Sequence, residues 1–150
     1  DGLRQVAEDS VLNANYLLRS LDDVLDAPFA QSGPCMHEAI FSDKGFAEGF
    51  STIDVAKALI DEGFHPMTMY FPLVVHGAML IEPTESESLA SLDLFIATLR
   101  DLAMSAKRGE AERFTGAPYL APCRRLDETG AARKPVLKWS PPVPIREAAE

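Results

Sequence analysis

Residues 51–64 constrain the fold more than any other part of the sequence, because both ends of a helix are encoded there. Ser51 fits the N-cap position, and Asp54 stands three residues later, where an acidic side chain completes a capping box. Gly63 lies where a helix end requires a left-handed residue, and Phe64 follows it for an apolar contact back onto the helix. We therefore predict one complete helix in this segment.

The next segment, GFHPMTMYFP, places an alternating run, MTMYF, between two prolines. Proline cannot donate a hydrogen bond to a sheet, so we predict a strand that is bent at Pro72 or lies at a sheet edge. The runs MTMYFPLVV and AMLIE are separated by His76 and Gly77, which predicts a β-hairpin with a tight turn. The low charge of this hairpin indicates that one or both of its faces are covered.

The other elements are read from apolar spacing. Residues 3–21 carry apolar side chains three and four positions apart, which predicts an amphipathic helix, and CMHEAIF at residues 35–41 is a strand candidate with Cys35 and His37 on one face. A third helix is predicted from PTESES to Gly109, with Thr84 as the N-cap and Glu87 completing a capping box. Helix capping accounts for Thr84 and Glu87, but it gives no role to Glu82 at the end of the preceding strand.

Two asparagines within the first helix leave two interpretations open. Asn13 and Asn15 are poor helix formers. They either lie on a solvated face or make buried hydrogen bonds in an interface.

The predicted order is helix, strand, helix, strand, strand, helix, tail. This order favours an α+β fold in which helices cover one face of a small, mainly antiparallel sheet. We expect this α+β domain to span residues 1–109, and residues 110–150 to form a proline-rich extended arm that wraps a surface or stays mobile. Trp139 is interpreted as a docking anchor in that arm.

The charge balance limits the partners. The chain has 150 residues and a net charge of −9, and its basic residues form no block, which argues against nucleic acid. The longest apolar run, FPLVV, is far too short to cross a membrane. Cys35 and Cys123 are far apart in sequence, and we expect reduced thiols in a cytoplasmic protein, with their pairing left open.

No complete catalytic motif is present. The three histidines, His37, His65 and His76, reach no metal-ligand spacing with the cysteines, so we predict no metal site. The sequence has no glycine-rich phosphate loop and no lysine in an apolar context suited to covalent catalysis. From the residues alone we predict a domain that contributes to a site but does not contain a complete site of its own.

Three stretches carry a family resemblance: LNANYLLRSL, GFHPMTMYFPLVVHGAMLIEPTESES, and APYLAP with the later RRLDETGAARKPVL. Together, from about residue 11 to residue 136, they resemble the C-terminal end of the glycine dehydrogenase (decarboxylating) P-protein, most closely subunit 2 of its two-subunit form. The resemblance implies the small C-terminal domain of a pyridoxal-phosphate-dependent enzyme with the aspartate-aminotransferase-like fold.

The family's activity is the decarboxylation of glycine, followed by transfer of the aminomethyl group to the lipoyl arm of the H-protein. The implied partners are therefore glycine, the lipoylated H-protein, P-protein subunit 1 and the upstream large domain. Nothing in this chain matches the family's cofactor lysine, so pyridoxal phosphate is expected to bind mainly upstream, and the chain is not expected to be active alone. The start without an initiator Met fits a piece of a longer chain.

The resemblance also suggests a role for the proline-bounded segment. In this fold class a strand-entry loop of the small domain faces the substrate, so His65 and Thr68 are the candidate catalytic residues, presenting hydrogen-bond donors towards a carboxylate or a lipoyl thiol. A satisfied structural role for His65 remains the alternative. A second reading of the element order is an ACT-like amino-acid-binding regulatory module, in which the same loop would bind an effector.

Overall fold

The computed structural model describes residues 1–141. The principal elements, in chain order, are α1 (Gly2–Leu21), β1 (Ala39–Ser42), α2 (Thr52–Asp61), β2 (Thr68–Met69), β3 (Ala78–Ile81), α3 (Leu89–Arg108) and α4 (Glu128–Arg133). Among these residues, no helix is both long and apolar enough to cross a membrane.

The three strands form one antiparallel sheet in the order β1-β3-β2. Ala39 pairs with Ile81 at one side of β3, and Thr68 pairs with Leu80 at the other. The predicted α+β class with a small antiparallel sheet is confirmed, and β2 lies at the sheet edge, as Pro72 required.

One hydrophobic core joins the sheet to α1, α2 and α3. Its fully buried large side chains include Leu17, Leu21, Phe41, Val55, Leu59, Met79, Leu99, Leu102 and Phe114. Apolar positions three and four apart lie on one helix face, but only part of each long stripe reaches the core. In α1 the buried side chains begin at Ala14, and Leu3 is 89% exposed; in α3 they begin at Leu92, and Leu89 is 62% exposed.

The ends predicted for α2 are confirmed. The Asp54 carboxylate accepts hydrogen bonds from the Ser51 amide at 2.9 Å and hydroxyl at 2.8 Å. Gly63 has φ +86, its amide donates to Ile60, and the Phe64 amide donates to Leu59, as a Schellman motif requires. Phe64 then packs edge-on against Phe95 of α3, with 5.3 Å between ring centroids.

The predicted start of α3 is wrong. The helix begins at Leu89 with Ser88 as its N-cap, whose hydroxyl accepts from the Ser91 amide at 3.2 Å. Thr84 instead opens a turn, in which its carbonyl accepts from the Glu87 amide at 3.2 Å. A capping box requires the helix to begin directly after the N-cap residue. Thr84 is followed by a turn instead, so the helix begins only at Leu89.

The predicted tight hairpin is also wrong. β2 ends at Met69, and residues 70–77 form the connection to β3. Tyr70 adopts a left-handed conformation with φ +58, and Pro72 has no amide hydrogen for a ladder, so the strand cannot continue. The covered face is confirmed for β3, which is largely buried, but not for the connection, where Leu73 and Val74 are exposed.

The first strand is shorter than predicted. β1 begins at Ala39, so Cys35 and His37 precede the strand and do not share one of its faces. The backbone of Cys35 is occupied by the Asn15 side chain, which donates to the Cys35 carbonyl at 2.8 Å and accepts from its amide at 2.9 Å. A residue paired in this way has no free groups for the sheet. Both cysteines are free thiols.

The segment after α3 is fastened to the domain through part of its length. Phe114 is 1% exposed and packs edge-on against Phe50, and Ala117 is buried. The Asp61 carboxylate accepts from the amides of Tyr119 and Leu120, each at 2.7 Å. The division into residues 1–109 and an arm remains a prediction, as does docking through the exposed Trp139; residues 142–150 lie outside the described part of the chain.

Candidate functional site

A cleft of about 400 Å³ lies where the start of the hairpin meets the start of α3. Its walls come from the loop before β2, the end of β3 and the following turn, and the first turns of α3. The polar side chains among the lining residues are His65, Thr68, Glu82, Thr84, Glu87 and Ser91. The cleft therefore contains both residues that the sequence singled out, together with the unexplained Glu82.

The first wall is positioned by the end of α2. Gly63 stops that helix in the left-handed region, and the chain then runs through His65 and Pro66 into β2. Thr68 pairs with Leu80, which fixes the distance between this wall and β3. His65 and Thr68 are both exposed, so their side chains are accessible from the cleft.

The opposite wall is held by hydrogen bonds that the sequence did not reveal. The Asn13 side chain of α1 donates to the Thr84 carbonyl at 2.9 Å. The Ser91 hydroxyl of α3 donates to the Glu87 carboxylate at 2.5 Å. Asn13 and Glu87 thus position the rim of the cleft, and the only signal in the sequence was the poor helix propensity of Asn13.

The electrostatic character of the cleft is acidic. Glu82 and Glu87 line it, and no lysine or arginine is among its lining residues. An anionic ligand group would be repelled by these carboxylates in a partly desolvated space, whereas a neutral or cationic group would not.

Glu82 also belongs to a small cluster on the surface. His37 Nε2 lies 3.8 Å from a Glu82 carboxylate oxygen and 3.7 Å from one of Glu38. The three side chains are close enough for a cation to bridge them, but His37 and Glu82 are exposed and Glu38 is half-buried, and their spacing equally fits an ordinary surface ion pair. Nothing here assigns a metal to them.

The cleft does not fit pyridoxal phosphate on residues of this chain alone. Such a cofactor needs a lysine for its covalent attachment and donors for its phosphate, and the lining supplies neither a lysine nor an arginine. Its acidic side chains would also repel the phosphate.

A small α+β domain with an open, acidic cleft beside its three-stranded sheet is the class of protein that this fold and this cleft define. A family model described as "Glycine dehydrogenase, C-terminal domain" matches residues 6–117. The chain belongs to that family.

Relatives in several bacteria agree with this assignment. A "Probable glycine dehydrogenase (decarboxylating) subunit 2" from Caulobacter vibrioides is 66% identical over 151 residues, which cover 100% of this chain and 29% of the relative. Proteins with the same description from Shouchella clausii and Listeria innocua are each 49% identical over 140 residues, covering 93% of this chain and 28% of each relative. The chain thus spans less than a third of these relatives. The alternative of an ACT-like regulatory module is not supported.

Proposed function

We propose that this chain is the C-terminal part of a glycine dehydrogenase (decarboxylating), the P-protein of the glycine cleavage system. The observation that carries the proposal is the match to the family over residues 6–117, together with 66% identity to a relative described as subunit 2 of that enzyme. In this role the complete enzyme decarboxylates glycine in the cytoplasm and passes the aminomethyl group to the lipoyl arm of the H-protein. P-protein subunit 1 is its further partner.

Pyridoxal phosphate supplies the electron sink for decarboxylation, and it would be held by the part of the enzyme outside this chain, since the cleft has no residue to anchor it. The contribution of this chain is then a wall that orients reactants and excludes water. His65 and Thr68 are the residues to which we assign this role.

The acidity of the cleft favours one of the two groups that His65 and Thr68 would contact. A departing carboxylate would meet Glu82 and Glu87, whereas a lipoyl thiol is neutral and is not repelled. We therefore assign the imidazole of His65 and the hydroxyl of Thr68 to positioning the thiol side of the reaction.

The cofactor assignment is tested by visible absorption after addition of pyridoxal phosphate and borohydride reduction. The complete polypeptide is expected to gain a visible band and to retain the cofactor covalently after reduction. The 150-residue chain is expected to show neither. Absence of the band from both proteins would contradict the assignment.

The role of His65 is tested in the complete enzyme by His65→Ala, with His76→Ala as the control, because His76 lies outside the cleft in the connection before β3. We expect His65→Ala to slow transfer of the aminomethyl group to the lipoylated H-protein by roughly 10²-fold and His76→Ala to leave this transfer rate nearly unchanged. An unchanged rate in His65→Ala would remove His65 from the mechanism.

A further inference from the structure

An exposed apolar loop borders the cleft. Residues 70–74, here called the apolar loop, connect β2 to the chain that leads into β3. Four of their five side chains are large and exposed: Tyr70 (44%), Phe71 (59%), Leu73 (88%) and Val74 (84%). Contiguous exposed apolar surface of this kind marks an interaction site on soluble proteins.

The apolar loop has a fixed shape. The Tyr70 amide donates to the Ala78 carbonyl at 2.8 Å, and the Val75 amide donates to the Pro72 carbonyl at 3.1 Å. Val75 is itself buried and anchors the end of the loop. The exposure of Leu73 and Val74 therefore belongs to an ordered surface, which is preorganised for a contact.

The base of the connection is also fixed. The buried Thr52 hydroxyl of α2 donates to the Gly77 carbonyl at 2.5 Å, and the Ser42 hydroxyl of β1 donates to the His76 carbonyl at 2.9 Å. Asp43 accepts from the Thr52 amide at 3.3 Å and lies 3.1 Å from His76 Nδ1. Groups from β1, from α2 and from the loop between them thus hold the connection in place.

The apolar loop is continuous with the cleft wall. Thr68 lines the cleft, Met69 follows it in β2, and Tyr70 begins the loop. A surface seated on the loop would stand at the edge of the cleft. Such a surface would bury the apolar side chains and supply groups that the cleft lining lacks.

The length of the relatives identifies the occupant. This chain covers 28–29% of three relatives, so most of each relative's polypeptide lies outside the match. The loop offers no charged side chain, which suits a permanent apolar contact within one polypeptide better than a transient, polar one. We propose that the apolar loop is an intramolecular docking surface, covered in the complete protein by the part of the same polypeptide that precedes this domain. The inference rests on the proposed function in that both require the longer polypeptide.

Site-specific photo-crosslinking of the complete polypeptide, expressed with its partner subunit, tests this proposal. Phe71→p-benzoylphenylalanine keeps an aromatic side chain in the loop, and Leu73→p-benzoylphenylalanine is a second probe at an exposed position. Glu48→p-benzoylphenylalanine is the control, since Glu48 is an exposed charged residue and lies outside the loop. Irradiation is followed by electrophoresis and by mass spectrometry of the joined peptides.

The expected result is a crosslink from positions 71 and 73 to a peptide that precedes residue 1, in a product with the mass of a single polypeptide, at about ten times the yield of the control. A product of doubled mass would overturn the proposal in favour of a second copy. A product that contains the partner subunit or another protein would also overturn it, as would a yield no higher than that of the control.

The crosslink requires no turnover, so it separates this inference from the proposed function. A polypeptide that crosslinks as expected but does not exchange glycine carboxylate keeps the docking surface and loses the enzyme assignment. A polypeptide that exchanges glycine carboxylate but gives no intramolecular crosslink keeps the enzyme assignment and loses the docking surface.

Discussion

Gly77 is the residue whose identity is most tightly imposed by its surroundings. It has φ +55, and a Cβ at this position would overlap the carboxylate of Asp43. The Asp43 side chain is nearly buried, and it bonds to Thr52 of α2 and to His76. Glycine is required here both for its backbone conformation and for the space that it leaves to this carboxylate.

We predict that Gly77→Ala lowers the free energy of unfolding by roughly 3 kcal/mol, because the methyl group adds a clash to the cost of a left-handed alanine. Gly63→Ala is the matched control. Gly63 has φ +86 and open space around it, so its substitution should cost only about 1 kcal/mol. Urea denaturation of the two variants measures the difference, and equal costs would contradict the clash.

At the scale of elements, α1 packs into the core and also holds two loops in place through side-chain hydrogen bonds. Asn15 holds the segment before β1 through the backbone of Cys35, and Asn13 holds the turn after β3 through Thr84. Both asparagines make hydrogen bonds between elements, but neither is fully buried, so each of the two interpretations left open for them holds only in part. The same packing lowers the exposure of the Cys35 thiol, and this burial raises its pKa.

We predict that Asn15→Ala lowers the free energy of unfolding by about 2 kcal/mol, because it leaves the amide and carbonyl of Cys35 without partners in a partly buried place. Asn13→Ala removes an exposed bond to the Thr84 carbonyl and a long one, at 3.5 Å, to the Glu87 carbonyl, and it should cost less than about 1 kcal/mol. Thermal or urea unfolding compares the two variants. A larger effect of Asn13→Ala would reverse the proposed ranking.

A second contact between elements has a pH dependence. Arg100 of α3 donates to both carboxylate oxygens of Asp23 at 2.7 Å and to the Ser20 carbonyl of α1. The hydrogen bond from Arg100 lowers the pKa of the Asp23 carboxyl below its ordinary value. A carboxyl whose pKa is lowered by folding stabilises the native state above its unfolded-state pKa, and this contribution is lost as the pH falls through the folded-state pKa.

Asp23→Asn should therefore be less stable than the unaltered protein at pH 7, and the difference should shrink below about pH 3.9 and disappear in stronger acid. The effect is small because both side chains are partly exposed and solvent screens their attraction. Urea midpoints measured from pH 7 to pH 3 provide the test, with Glu48→Gln at an exposed position before α2 as the control. If the stability difference between Asp23→Asn and the unaltered protein does not change with pH, it does not arise from the ionised Asp23 carboxylate.

At the scale of the whole molecule, the core extends past the glycine that ends α3. Phe114 and Ala117 are buried in it, and Arg125 reaches back to the Asp54 carboxylate at 2.6 Å and to the Phe114 carbonyl at 2.8 Å. The Asp54 carboxylate therefore caps α2 and also binds Arg125, which lies in the segment that follows α3. The predicted boundary at residue 109 would place the two partners of the Asp54–Arg125 contact in different units.

Truncation distinguishes a boundary at residue 109 from a later one. We predict that ending the chain after residue 126 leaves the unfolding temperature nearly unchanged, since no residue from 127 to 141 is buried. Ending it after residue 113 removes the buried Phe114 ring and should destabilise the domain by about 3–5 kcal/mol. Equal stability of the two truncated chains would support the boundary at residue 109.

The sequence by itself determined the elements whose signals are local. The helix at Thr52–Asp61 carries its own caps in Ser51, Asp54 and Gly63. The apolar spacing of α1 and α3 predicted both helices, but it did not reveal that their first turns lie outside the core. The place of β2 at the sheet edge followed from the missing amide hydrogen of Pro72. The α+β class followed from the order of these elements, whereas the family resemblance came from three longer stretches of the sequence.

Only the tertiary structure decided what depends on contacts between distant residues. Thr84 matches a capping pattern, but its carbonyl is bound by Asn13, 71 residues away, and the helix begins at Leu89 with Ser88 as its N-cap. The two-residue turn predicted from His76 and Gly77 is instead the end of an eight-residue connection, whose carbonyls are held by the side chains of Ser42 and Thr52. A single sequence does not reveal which distant groups will meet, so neither set of long-range hydrogen bonds could be predicted.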